Sequence, residues 1–368
     1  MPLTRALADP NDGVQLQAIG AELNIFLADK VAGRRKVALL VEVRDDISAA
    51  GVFNAGGNLL EPRSVNLEVL AALRTATRDD SSRVATEALY AFGALAENSA
   101  GHERRDLLAQ SAADLAALLG VQQANVREAA IRVIARLYAW RVGDLAVNQA
   151  IGDAVVTAMN DRDYSVRTTA TEAVGGLRYD RGVQALTDLY RHYERGPGAA
   201  AALGALASIA HPTSRPLFAE ALASRDVLVR IAAIEGLARS GAADKLPDIA
   251  RTLENEKNQD AQLAGHFATV LLSDGPVDDL VGGLARSRSH DRALRYLVDV
   301  APSRRSTIQP HVEDPQPAIR VDLLTALGLS GDLEAVSIAE RLQQDTDATV
   351  VRAASTALMR LNATAALP

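Results

Sequence analysis

Six histidines, 46 acidic residues and no cysteine make up the chemical stock of this 368-residue chain. His102, His192, His211, His266, His290 and His311 are scattered, and no two stand four apart, the spacing that brings two imidazoles to one helix face around zinc. Without cysteine there is no disulfide scaffold, thiolate metal site or cysteine nucleophile. The carboxylate pairs Asp161/Asp163 and Asp345/Asp347 resemble acid–base dyads. Each precedes an apolar-periodic run, however, where aspartate caps a helix, and capping is the stronger reading. The glycine-rich stretch from Gly51 to Pro62 lacks the Gly-Lys-Ser/Thr that closes a phosphate loop, so it reads as an irregular loop ending at proline. The sharpest cluster is aromatic. Tyr138, Trp140, Tyr164, Tyr179, Tyr190 and Tyr193 hold most of the tyrosines and the single tryptophan, with Arg141 and Arg191 among them. That is the composition of an interface hot spot. The same rings would also fill gaps where long and short helix pairs meet, and both readings stay open.

Helices must position these groups. In residues 161–177, D-R-D-Y-S-V-R-T-T-A-T-E-A-V-G-G-L, Asp163 is a cap, and Val166, Ala170, Ala173 and Leu177 form one apolar stripe. Alanine at two of these positions lets a second helix approach closely. The stripe recurs at Val14, Ala18, Ala21 and Ile25, at Val84, Ala88, Ala91 and Leu95, and at Val126, Ala130, Val133 and Leu137. It returns at Val229, Ala233 and Gly236, at Ile319, Leu323 and Ala326, and at Val350, Ala354, Ala357 and Leu361. Asn11, Ser81, Asp226 and Asp347 are capping types placed just before these stripes, and Pro317 takes a first-turn slot. Arg127, Arg167, Arg230 and Arg320 each follow the first stripe residue. A cation there gains nothing from the helix dipole, so Arg167 is predicted to have a specific carboxylate partner.

This recurrence in register resembles the HEAT-repeat family, in the short bacterial form of the phycobilisome-lyase type, where D-x-D-x-x-V-R-x-x-A-x-x-A-L-G opens the second helix of each pair. The resemblance runs from about residue 64 to 361, with an isolated copy near the N-terminus. It implies an all-α chain, an α-solenoid (superhelix) of roughly ten antiparallel helix pairs. Residues 1–62 would be an irregular N-terminal repeat with its glycine-rich loop, continuous with a solenoid over 63–368. In the family the repeated arginine commonly pairs with an aspartate of a neighbouring repeat, and Arg127, Arg167, Arg230 and Arg320 are read as that structural ladder. HEAT-like di-iron hydroxylases use several His-Glu pairs, and this chain has only His102-Glu103. HEAT-like DNA glycosylases carry basic faces with tryptophans, which one tryptophan and a net charge of −7 do not match. Phycobilin lyases share the repeat type, but no residue here singles out a tetrapyrrole pocket.

First helices of the pairs are predicted at 65–77, 105–119, 145–159, 183–193, 214–223, 243–253, 277–286 and 333–343, with degenerate second helices at 199–209, 260–272 and 291–300. The spacing shortens after Val166, from about forty to about thirty residues. A helix is predicted over 12–30, and 34–49 reads as helix or strand. No polar capping helix follows Leu361, so a partner or additional residues are expected to cover that end.

Hydrophobic content of 48% supports a continuous buried seam, and 4% aromatics suit thin alanine- and leucine-rich packing. No apolar run reaches membrane-span length, and Met1–Arg5 does not resemble a signal peptide. The compartment stays open: cytoplasmic, or exported with a targeting segment absent from this chain. The function expected is a non-enzymatic scaffold that binds a protein or peptide on the concave face lined by the second helices, with no nucleic-acid partner, cofactor, metal or catalytic residue. Candidate contacts are Tyr138, Trp140, Arg141, Tyr164, Glu172, Tyr193 and Glu235, with Glu128, Arg132, Thr168, Thr171 and Asp322 also outward by helical phase. The alternative is a lyase-type or small-molecule-binding protein with a pocket near the N-terminal loop.

Overall fold

The computed structural model describes residues 2–26, 65–96, 101–138, 145–193 and 195–365, all without a strand. The expectations for 34–49 and for the loop at 51–62 lie outside these residues, as does the predicted boundary at 62. The chain forms two compact units, Met1–Gly182 and Val183–Pro368. The division falls where the repeats shorten.

In the first unit the described residues form four helix pairs: α1 (Pro2–Ala6) with α2 (Asp12–Phe26), α3 (Leu67–Ala76) with α4 (Ser82–Ala96), α5 (Gly101–Ala117) with α6 (Ala124–Tyr138), and α7 (Leu145–Ala158) with α8 (Tyr164–Gly176). The second helices α4, α6 and α8 pack successively on one another, and α5 packs on α7, giving two layers. The predicted stripes form the seam: Val84, Ala88, Ala91, Leu95, Val126, Ala130, Val133, Leu137, Val166, Ala170 and Ala173 are all buried. Each buried valine or leucine contributes about 1.5–3 kcal/mol relative to exposure.

One stripe is out of phase. Val14 and Ile25 of α2 are 39% and 48% exposed, while Gln15, Ala18, Ile19 and Leu23 are buried. Gln15 Nε2 donates to Leu7 O at 3.2 Å and to Asp79 Oδ2 at 2.8 Å. The buried face lies about one residue round from the Val14–Ile25 stripe, with Ile19 and Leu23 in the core.

In the second unit the pairs are α9 (Val183–Tyr193) with α10 (Gly196–Ile209), α11 (Arg215–Ala221) with α12 (Val227–Arg239), α13 (Leu246–Leu253) with α14 (Gln259–Ser273), and α15 (Asp278–Leu284) with the start of α16 (His290–Ile308). Then come α17 (Pro317–Ser330), and α18 (Val336–Leu342) with α19 (Ala348–Ala365). The sequence reading missed the first half of α17's pair. It is the end of α16, broken from the rest at Arg304 (φ −126°, ψ 21°) just beyond Pro302, together with the 3₁₀ turn Gln309–Glu313. Proline inside a helix removes a hydrogen bond and crowds the preceding turn, so one continuous pattern becomes two helices. Close approach is set by glycine. A Cβ on Gly236 would meet the Phe218 ring at 2.5 Å, and one on Gly328 would meet the Ala357 backbone at 2.8 Å. On α19, Arg352 and Asn362 are exposed, and so is the apolar side chain of Met359.

Candidate functional site

The turns between paired helices are built first, and they absorb the paired aspartates. Asp163 Oδ1 accepts from the backbone N–H of Ser165 at 2.9 Å and Val166 at 3.3 Å, while Asp161 Oδ1 accepts from Asp163 N–H at 2.8 Å. Asp347 and Asp345 repeat this arrangement with Thr349 N–H and Asp347 N–H, both at 2.8 Å. These carboxylates cap helices. The repeated arginine then ties each turn to the next. Arg127 donates through Nε and Nη2 to both oxygens of Asp161, each at 2.7 Å, and through Nη1 to Val121 O and Gln122 O. Arg320 does the same with Asp345 and Asp314 O. Arg230 pairs with Glu256 and donates to Ser224 O. Arg167 keeps the carbonyl bonds, to Asp161 O and Arg162 O, but among the described residues its guanidinium meets the Tyr164 ring, 5.7 Å from its centroid, and no carboxylate. Two glutamines occupy the arginine's slot: Gln15, and Gln262, whose Nε2 donates to Leu253 O and Glu256 O.

On the second-helix face of the first unit, Tyr164, Thr168 and Glu172 stand one turn apart along α8. Tyr164 is 66% exposed, and Glu172 is also exposed. Partial burial raises the Glu172 carboxyl, opposed by nearby Arg132. On α6, Arg132 pairs with Glu128 at 2.7 Å, and Ser165 Oγ donates to the other Glu128 oxygen at 3.0 Å. Thr171, expected to point outward, is buried with its hydroxyl on Arg167 O.

The second unit holds a network that no sequence spacing announced. Tyr296 of α16 donates its hydroxyl to Glu235 Oε1 of α12 at 2.6 Å, and Arg292 Nη1 reaches the same oxygen at 2.6 Å. Arg239 bonds Glu235 Oε2 at 3.2 Å and Asp299 Oδ2 at 2.7 Å. Beneath them lies α14: Phe267 stacks on Tyr296 with centroids 4.2 Å apart, and Arg239 lies over the Phe267 ring at 5.2 Å. Burial alone would raise the Glu235 carboxyl, but Arg239, Arg292 and the Tyr296 hydroxyl hold it down at about 2. Burial, reinforced by Glu235, pushes the Tyr296 phenol upward. With its carboxylates paired and its phenol locked as a donor, the cluster offers no free base at neutral pH. Its bonds tie α12 to α16.

The candidate residues therefore separate. Tyr138 is only 2% exposed and donates to Leu108 O at 2.6 Å, a core position. Tyr179 packs over Gly152 and donates to Asp153 at 2.5 Å; burial and that carboxylate push its phenol up to about 12. Tyr164 is a surface ring of the first unit, and Tyr193 is an exposed ring of the second, edge-on to His192 and against Gly198. Glu235 retains only 13% side-chain exposure, occupied by the network. Trp140 and Arg141 lie outside the described residues. Among the described residues, no three His, Asp or Glu side chains are grouped to hold a metal ion, and no helix is long and apolar enough to cross a membrane.

Residues 196–266, spanning α10 to α14, match the family model for HEAT repeats. This stretch carries HEAT repeats. No curated protein matches the chain. Among solved structures it is similar to an engineered protein (18% identity, 98% of each chain, TM-score 0.44). It is also similar to the CpcE–CpcF complex of phycocyanin lyase from Nostoc sp. PCC7120 (19%, 68% of this chain and 94% of that one, TM-score 0.45). A third likeness is to a designed armadillo repeat protein (17%, 80% and 100%, TM-score 0.28). None of these likenesses carries an argument about function. The HEAT stripe was legible, whereas the Glu235–Arg292–Tyr296 contacts span nearly two repeats, and only the Glu235/Arg239 pair at i, i+4 left a local signal.

Proposed function

We propose that this HEAT-repeat chain is a non-enzymatic scaffold that captures a protein or peptide partner on the exposed face of its second helices. The observation that supports this most is the outward row Tyr164, Thr168 and Glu172 on α8, beside Glu128 and Arg132 of α6. Tyr164 is a large ring left in solvent and backed by Arg167, and it stands one turn from an acceptor hydroxyl and two from a carboxylate. Exposed aromatics flanked by fixed polar groups bury area on binding at low entropic cost. In contrast, the Glu235–Arg239–Arg292–Tyr296 cluster of the second unit is consumed internally. The small-molecule alternative places its pocket near 51–62, outside the described residues, and no observation favours it.

The test is quantitative affinity capture from native lysate with the full chain and a Tyr164→Ala, Glu172→Lys double variant of matched Tm. A protein enriched on the wild type and lost on the variant is the expected result. Equal recovery on both baits would remove this face as the site, and enrichment of nothing on either would count against a scaffold.

A further inference from the structure

We propose that the His290 bridge between α16 and α17 is a pH-responsive clamp, closed while His290 is an imidazolium and loosened when it loses its proton. On its other side α16 is tied to α14: Ser289 Oγ donates to Asp260 Oδ1 at 3.0 Å, Arg292 Nε lies 3.9 Å from Asp260 Oδ2, and Arg304 Nε donates to Val270 O at 3.0 Å.

His290 opens α16 at this point. Its Nε2 is 2.9 Å from Asp322 Oδ2 of α17, and its Nδ1 is 3.0 Å from Asp291 Oδ1. A neutral imidazole has one N–H and one lone pair, so one of these contacts would set a lone pair against a carboxylate. Only the imidazolium donates to both. The geometry therefore specifies the charge. Burial works against that charge, but the bonds His290 donates to Asp291 and Asp322 outweigh it and raise the His290 pKa. Burial in turn raises the Asp322 carboxyl, with His290 opposing. From α14 the facing group is Asp260, engaged by Ser289 and Arg292.

Two more histidine–carboxylate contacts stand nearby. His266 Nδ1 lies 3.0 Å from Asp279 Oδ2, and His311 Nε2 lies 3.8 Å from Asp278 Oδ1. The two acids that open α15 are thus met by histidines from α14 and from the 3₁₀ turn before α17. The rungs Arg127–Asp161, Arg230–Glu256 and Arg320–Asp345 use a cation that never titrates in this range. Because the His290 pKa is raised on folding, its contribution is complete below the unfolded value of about 6.5 and is lost as pH rises through the folded one.

Hydrogen–deuterium exchange of the full chain at pH 6 and pH 8, corrected for intrinsic rates, reads the clamp directly. Segments covering 286–296 and 317–326 are expected to lose protection severalfold at pH 8, while 124–138 does not change. In His290→Gln those segments should be equally loose at both values. No pH dependence in the wild type, or the same dependence in His290→Gln, overturns the proposal. If that variant does not fold, side-chain nitrogen NMR of the native chain decides: a cationic His290 at pH 6.5 supports the clamp, and a neutral one refutes it.

Discussion

Tyr296 donates to Glu235 across 2.6 Å although 61 positions separate them, so α16 is fastened to α12 over the top of the helix between. Phe267 of α14 lies under both the phenol and the Arg239 guanidinium. The consequence for mutation is asymmetric. Glu235→Lys sets a third cation beside Arg239 and Arg292 and removes the acceptor for Tyr296, so it should cost about 3–5 kcal/mol, the range for breaking a buried pair. Glu172→Lys, on the exposed face, should stay within about 0.5 kcal/mol. Urea unfolding of the two variants separates these cases, and equal midpoints would contradict the placement of Glu235.

Arg127 offers the clearest test of the ladder. It is nearly buried, saturates both oxygens of Asp161 and holds two carbonyls of its own turn. Arg127→Ala should destabilise the first unit by about 3 kcal/mol. Arg127→Lys should recover only part of this, since lysine keeps the charge and loses the planar fork. A lysine variant as stable as wild type in guanidinium titration would show that charge alone suffices.

Acid should undo the ladder in a defined direction. Hydrogen bonds from Arg127 and Arg320 hold Asp161 and Asp345 below the usual carboxylate range; Glu256 is held down by the Asn258 N–H and then by Arg230. Depressed folded values contribute stability that is present above the ordinary carboxylate pKa, about 4, and lost as pH falls through the lower folded values. Stability should therefore drop below about pH 4, and Asp345→Asn should flatten part of that slope. An unaltered slope in the variant would disconnect Asp345 from acid unfolding.

Glycine predictions run in both directions. Gly328→Ala would push a methyl against the Ala357 backbone, and Gly236→Ala would push one into the Phe218 ring. Each should cost about 1–3 kcal/mol as overpacking. Gly204, inside α10, faces nothing within 4 Å, so Gly204→Ala should stabilise by about 0.5–1 kcal/mol through helix propensity. Thermal melts of the three variants would reveal any reversal of that order.

Much of the repeat was legible because it is written in short-range chemistry. The helix predicted over 183–193 forms as Val183–Tyr193, and the caps at Asp163, Asp226 and Asp347 accept the N–H bonds their positions require. Val14 and Ile25 show the limit. Their stripe is as regular as the others, yet the helix buries Ile19 and Leu23 instead, with Gln15 beside them bonded to Leu7 and to Asp79, in a different repeat. The aromatic cluster illustrates the same limit, since Tyr138 lies in the core while Tyr164 stands in solvent.

By itself the sequence determined where helices start, which stripe most of them bury and that the pairs stack as HEAT repeats, because capping and a 3.6-residue period act over one or two turns. Tertiary structure alone decided which charges remain available. Glu172 and Glu235 occupy similar positions on their helices, but only Glu235 is met by an arginine and a tyrosine from two pairs further on. Nothing within one repeat encodes that meeting: it arises from the close stacking of α12, α14 and α16, which brings side chains about sixty residues apart within bonding distance.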